Sequence, residues 1–228
     1  MRVTEIQRWA GADWAFIKDS SALAIVEGDD TQLSLICLHE WRGDKTQRDP
    51  RVVVPGAAAL LKKHKCESAM TDRYYEAYVE AELEDEGIGW LPAPITTEEI
   101  AASFMKLRML LNFGQLKLNG HPRVLPLLER LKQQLKKVRS KAQAGGVEKI
   151  ILSSSDGSHS DLVSALVLAV WQAPTVAQGG TILRLKSRTA GHDHRFAESD
   201  GKFYENSQDF EEADDAGEPM HEPLIAIG

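Results

Sequence analysis

Residues 22–41 read Ala22-Leu23-Ala24-Ile25-Val26-Glu27-Gly28-Asp29-Asp30-Thr31-Gln32-Leu33-Ser34-Leu35-Ile36-Cys37-Leu38-His39-Glu40-Trp41. Two apolar runs flank a Gly-Asp-Asp punctuation, the pattern of two strands folded back on each other through a short connection. Upstream, residues 4–13 mix polar positions with Ile6, Trp9 and Ala12 and read as a strand that stops near Asp13, joined onward by the polar link Lys18-Asp19-Ser20. Three successive strands with short connections make an antiparallel meander.

Beyond residue 41 the period changes. Residues 56–64 are Ala/Leu-rich and helical, 67–71 form a short strand stopping at Asp72, 73–86 are helical again, and 88–91 offer another short strand. Pro92 and Pro94 break the chain, and Thr97 stands where it caps a helix over 98–112, with Gly114 just past its end. A helix over 123–137 leads to a basic strand, an Ala144-Gly145-Gly146 turn and a partner strand over 147–152. The most apolar helix spans 161–171. A meander followed by strands that alternate with helices predicts an α/β protein with a mixed sheet and helices on both faces.

The chain has 228 residues, 43% of them hydrophobic, enough for a substantial core and against disorder along the whole length. No apolar run approaches the roughly 20 residues that cross a bilayer, and the first residues lack a signal-peptide pattern, so the expectation is a soluble, intracellular protein with no membrane partner. Cys37 and Cys66 are too few for a disulfide framework and read as packed residues. The net charge of −7 is unevenly spread: residues 193–228 hold eleven acidic residues against Arg195 and Lys202, while residues 1–192 carry a slight positive excess. The expected organisation is a domain over 1–190, with 181–185 adding an edge strand, and an acidic tail over 191–228 that stays mobile or orders against a partner.

Three acidic residues stand where elements end or begin: Asp13 after the first strand, Asp72 after the fourth, and Asp161 at the start of the apolar helix. If the first and fourth strands are neighbours, Asp13 and Asp72 meet at one edge of the sheet and the helix delivers Asp161 there. Three clustered carboxylates repel one another unless cations neutralise them, and hard oxygen ligands favour Mg²⁺ or Mn²⁺. Two such ions about 3.5–4 Å apart suit phosphodiester hydrolysis without a covalent nucleophile. The plainer reading of each aspartate is a turn former or helix N-cap. Asp19 is either a further residue of the metal shell or simply the start of the second strand.

The stretch His159-Ser160-Asp161-Leu162-Val163-Ser164-Ala165-Leu166-Val167-Leu168-Ala169-Val170-Trp171 resembles the last nuclease motif of tailed-phage large terminase subunits, H-x-D-L-x-x-A-L-x-L-A-x-W. Gly11-Ala12-Asp13-Trp14 followed by Asp19-Ser20-Ser21-Ala22-Leu23 is similar to that family's first motif, and Asp72 in Met70-Thr71-Asp72-Arg73-Tyr74-Tyr75 to its middle acidic position. The segment Lys106-Leu107-Arg108-Met109-Leu110-Leu111-Asn112 with Gln115-Leu116-Lys117-Leu118 resembles a helix and strand common in those domains. The resemblance covers about residues 5–175. It implies a ribonuclease H-like fold, a carboxylate-bound pair of Mg²⁺ or Mn²⁺ ions, and cleavage of concatemeric double-stranded DNA during genome packaging in the bacterial host cytoplasm. Carried over by position, Asp13, Asp72 and Asp161 are catalytic metal ligands with Asp19 nearby, and the partners are DNA, a packaging ATPase, the portal and the small terminase subunit. Two departures stand out. No G-x-x-x-x-G-K-[ST] stretch occurs, and Ser160 and Ser164 fill positions where many relatives carry acidic residues.

A nuclease holds a polyanion beside its acidic centre. Lys132, Lys136, Lys137, Arg139, Lys141 and Lys149 form a basic run that serves as a phosphate-binding surface or is an ordinary solvated face; Lys18 and Arg73 are further candidates for DNA contact. No base-reading motif is present, so little sequence specificity is expected. The competing functions are a Holliday-junction resolvase or repair nuclease of the same fold, and a non-catalytic docking module whose acidic tail binds a portal or small terminase.

Overall fold

The computed structural model describes residues 6–17, 19–29, 31–118, 121–122, 124–142, 148–152 and 160–174. The edge strand expected over 181–185 and the acidic tail lie outside them. Thirteen elements follow one another: β1 (Gln7–Asp13), β2 (Ser21–Gly28), β3 (Leu33–Trp41), α1 (Pro50–Lys63), β4 (Ser68–Thr71), α2 (Glu76–Asp85), β5 (Gly89–Pro92), α3 (Thr97–Asn112), β6 (Leu116–Lys117), α4 (Leu125–Lys137), β7 (Arg139–Ala142), β8 (Glu148–Ile151) and α5 (Asp161–Gln172). The fold class is the expected one. A six-stranded mixed sheet runs β5-β4-β1-β2-β3-β6, with the β1-β2-β3 meander antiparallel and β4, β5 and β6 added in parallel; β7 and β8 form a separate hairpin.

Helices cover both faces because the strands alternate. Ala10, Ala12, Leu23, Ile25, Cys37 and Ala69 point to the face covered by α1 and α2, whereas Ala22, Ala24, Val26, Leu35 and Leu38 point to α3, α4 and α5. A bulge shifts the register between Ile25 and Val26, leaving Ile36 unpaired and letting Ile36 and Cys37 enter the same core. Both cysteines are buried thiols, and burial pushes the Cys66 thiol up to about 11. Among the described residues no helix is long and apolar enough to cross a membrane.

Gly11 decides how closely α5 approaches. A Cβ there would lie 2.3 Å from the Ala165 carbonyl oxygen and 2.3 Å from the Ala169 nitrogen, so the helix backbone rests directly on β1. Ala22 and Ala24 keep β2 equally low beneath it.

Three boundaries differ from expectation for local reasons. α1 starts at Pro50 rather than 56, because the Asp49 carboxylate accepts a hydrogen bond from the Arg51 N–H and Pro50 suits a first turn; Val52, Val53, Val54 and Pro55 disguise a helix in sequence. α2 starts at Glu76 rather than 73, because Tyr75 adopts φ 58°, ψ 33°. Thr96, not Thr97, caps α3: its hydroxyl accepts from the Glu99 N–H at 3.2 Å and donates to the Glu99 carboxylate at 3.1 Å.

Candidate active site

β1 and β4 are parallel neighbours, with Ala12 opposite Thr71 and the Asp72 N–H donating to the Ala12 carbonyl at 3.3 Å. One residue further on, Asp13 and Asp72 therefore stand side by side at the carboxyl ends of two adjacent strands, where open α/β sheets present their crevices. The register continues across the meander, Asp13 opposite Ala22 and Ala22 opposite Glu40. Residues directly opposite share a face, so Asp72, Asp13, Ala22 and Glu40 form one row beneath the amino-terminal end of α5, whose first residue is Asp161.

The electrostatics follow from this row. Asp13 is held well above the usual carboxylate range by burial first, then by the charges of Asp72 and Asp161, while a hydrogen bond from the Ser164 hydroxyl pulls the other way. Ser164, one turn beyond Asp161, thus faces Asp13. Burial raises Asp72 to about 6, opposed by its hydrogen bond with Asp13 and by the Trp14 and Tyr74 backbone N–H groups, the former at 3.3 Å from Oδ2. The other oxygen, Asp72 Oδ1, is buried and finds no hydrogen-bond donor among the described residues.

Asp161 is buried too, 6% exposed, and is not an N-cap: Ser160 holds that position without a side-chain cap bond, and the Leu162 N–H is received by Gln134 Oε1 of α4 at 3.1 Å. Its carboxylate accepts from the Ser20 hydroxyl. That hydroxyl also lies 2.6 Å from Glu40 Oε1, which is ion-paired with Arg130 Nη2 of α4 at 2.9 Å. A hydroxyl carries one proton, so Ser20 serves one carboxylate at a time. Asp72 answers to the plainer reading made from sequence, since the Tyr74 N–H bears on its carboxylate as in an Asx-type turn.

Three carboxylates with an unsatisfied buried oxygen are a donor set for hard divalent cations, and these residues fit Mg²⁺ or Mn²⁺. Among the described residues no group of three His, Cys, Asp or Glu side chains is already gathered into a metal shell. One Asp161 oxygen is engaged by the Ser20 hydroxyl, and the charge of Asp161 acts on Asp13.

The remaining candidates separate. Asp19 lies in the loop between β1 and β2, where its charge acts on Tyr74, whereas the charges acting on Asp13 are those of Asp72 and Asp161. Lys18 and the histidine of the last motif, His159, fall outside the described residues. Arg73 is exposed and approaches Glu76 at 3.8 Å. Lys136 and Lys137 end α4, Arg139 donates back to the Lys136 carbonyl at 2.5 Å, and Lys141 is exposed on β7. Two residues escaped sequence reasoning, Glu40 and Arg130. The signal for Glu40 was its parity: two steps from the inward Leu38, it puts a carboxylate on the covered face. Arg130 carries no comparable mark, being one of several cations on an amphipathic helix.

The six-stranded mixed sheet with helices on both faces is a fold shared with solved large-terminase nucleases. The large terminase nuclease of the thermophilic phage G20c superposes with a TM-score of 0.56 at 22% identity, over 74% of this chain and 83% of that one. The large terminase of bacteriophage HK97 does so with a TM-score of 0.57 at 17% identity, over 75% of this chain and 40% of that one. The chain therefore spans most of an isolated nuclease domain and well under half of a whole large terminase. No protein-family model and no curated protein sequence matches it.

Proposed function

We propose that this chain is a metal-dependent endodeoxyribonuclease that cuts concatemeric double-stranded DNA during viral genome packaging. The observation that carries the reading is the side-by-side position of Asp13 and Asp72 at the carboxyl ends of adjacent parallel strands, with Asp72 Oδ1 buried without a donor among the described residues and Asp161 close enough for its charge to act on Asp13. Asp13, Asp72 and Asp161 would hold Mg²⁺ or Mn²⁺, with Asp19 standing nearby. Two bound ions supply the positive charge that activates water and stabilises the leaving oxygen. The chain's own part is positioning. Gly11 seats α5 so that Asp161 overhangs the strand ends, Ser164 orients Asp13, and Arg130 neutralises Glu40 so that a fourth carboxylate does not add its charge. Arg73, with Lys18 and the basic run Lys136, Lys137, Arg139 and Lys141, would hold the phosphate backbone. A packaging ATPase, the portal and the small terminase subunit are the partners this role calls for, in the cytoplasm of a bacterial host.

Purified protein should nick and linearise plasmid with Mn²⁺ or Mg²⁺, stop with EDTA, and lose activity in folded Asp13→Asn, Asp72→Asn and Asp161→Asn variants by at least about 100-fold, the loss typical when electrostatic stabilisation of a reacting group is removed. Unchanged cleavage in all three refutes the reading.

A further inference from the structure

The carboxylates have aromatic neighbours that no step so far uses. Phe16, Tyr74 and Tyr75 form one cluster: Phe16 stacks with Tyr74 at 5.9 Å between ring centroids and meets Tyr75 edge-on at 5.4 Å, and the two tyrosines meet at 4.9 Å. Phe16 is the buried floor and stacks on Trp14 at 6.0 Å, whereas Tyr74 is 38% and Tyr75 49% exposed. The loop bearing the floor is tied down by Arg48, which donates to the Ile17 carbonyl at 2.6 Å. The Tyr74 N–H donates to the Asp72 carboxylate, so the exposed rings begin two residues from the site.

Tyr75 occupies the left-handed region, φ 58°, ψ 33°, and contributes no side-chain bond to the start of α2. Glycine or asparagine takes that conformation at lower cost, so a bulky ring here is strained without helping the helix. Strain of this kind persists where surrounding contacts hold it and collects at ligand-gripping sites.

Resting on the nuclease reading, we propose that Tyr74 and Tyr75 form a stacking shelf for an unpaired nucleobase beside the scissile phosphate. The chemistry selects the occupant. The exposed rings of Tyr74 and Tyr75 are flat and largely apolar, so what they offer a nucleotide is a stacking surface for its planar base. Aromatic stacking tolerates any base, in keeping with the absence of a base-reading motif. A strand whose base leaves the duplex to lie on these rings brings its own backbone toward the carboxylates.

Equilibrium binding to a short duplex, paired throughout or carrying one unpaired base, measured across a salt series with Ca²⁺ present, tests this. The full chain should bind the duplex with the unpaired base about tenfold more tightly, the scale of one base on an aromatic ring. Tyr75→Gly removes the ring and the backbone strain together; it should keep or raise Tm, keep the salt slope set by phosphate contacts, and erase the preference, which Tyr75→Phe retains. A preference surviving in Tyr75→Gly overturns the shelf, as does its absence in a chain that cuts plasmid in an Asp13-dependent manner. A chain that cuts nothing yet shows the tyrosine-dependent preference refutes the nuclease reading alone.

Discussion

The surface of the sheet beneath α5 is made of two different materials. At one end the register row Trp9–Val26–Leu35 is apolar, Val26 and Leu35 fully buried and Trp9 packed against them. At the other end, on the same strands and the same face, the row is Asp72–Asp13–Ala22–Glu40. Both ends are covered by one helix, whose middle (Leu162, Val163, Leu166, Val170) is core and whose first residue is an acid. The apolar row gains stability from burial, of the order of 1.5–3 kcal/mol per large side chain. The acidic row loses it, because desolvated like charges crowd together. The difference teaches that one end of α5 is held by packing so that the other can hold groups that do not want to be there.

The largest effect expected from breaking this arrangement is at Gly11, which lies between the two rows and sets the height of the helix. Gly11→Val puts side-chain carbon into the backbone of α5, where neither Ala165 nor Ala169 can move aside as a flexible side chain would. The expected loss is about 3 kcal/mol or more, read as a fall in the urea midpoint. Both rows fail together in that variant. A smaller and more selective break is Arg130→Ala, which leaves the Glu40 carboxylate, 5% exposed, with Ser20 alone. It should cost about 2 kcal/mol, less than a fully buried pair because the arginine is 23% exposed. Restoration of the urea midpoint in Arg130→Leu with Glu40→Gln separates an isolated buried charge from lost packing; no restoration assigns the cost to packing.

The two rows were unequally legible in the sequence. The apolar end follows from alternation: Val26 and Leu35 lie in runs that only a buried strand tolerates, and the meander with its Gly28-Asp29 turn is local. The side-by-side position of Asp13 and Asp72 rested on one step beyond this, that β1 and β4 are neighbours, which the sequence offered only as a condition and the resemblance to terminase nucleases made attractive. Glu40 was legible only as to its face, through its parity with Leu38, and its role was hidden for a physical reason. Its meaning comes from Ser20, twenty residues away, and from Arg130 on a helix whose other cations face solvent, and no local pattern links the three. Tyr75 was equally hidden, since nothing in Asp72-Arg73-Tyr74-Tyr75 announces a left-handed residue, and a helix reading simply ran through it.

The smallest predicted effect is also the one with the unusual sign. In the metal-free protein Asp13→Asn should stabilise, by about 1–2 kcal/mol near pH 8, because it removes one charge from a buried, crowded row while keeping its shape. The sign is fixed by the direction of the shifts. Asp13 and Asp72 are both raised on folding, so the folded chain binds more protons than the unfolded one above about pH 4; their contribution is complete below that pH and is lost as pH rises, through about 6 for Asp72 and through the raised range of Asp13. Thermal unfolding of the wild type with EDTA should therefore lose ground to Asp13→Asn as pH climbs from 4 to 8, and Mn²⁺ should reverse the order at pH 8, since a cation bound only by the folded wild type restores what repulsion removed. A difference between the two proteins that stays flat with pH, or an Asn variant that is the less stable throughout, would mean that the row is an ordinary hydrogen-bonded turn.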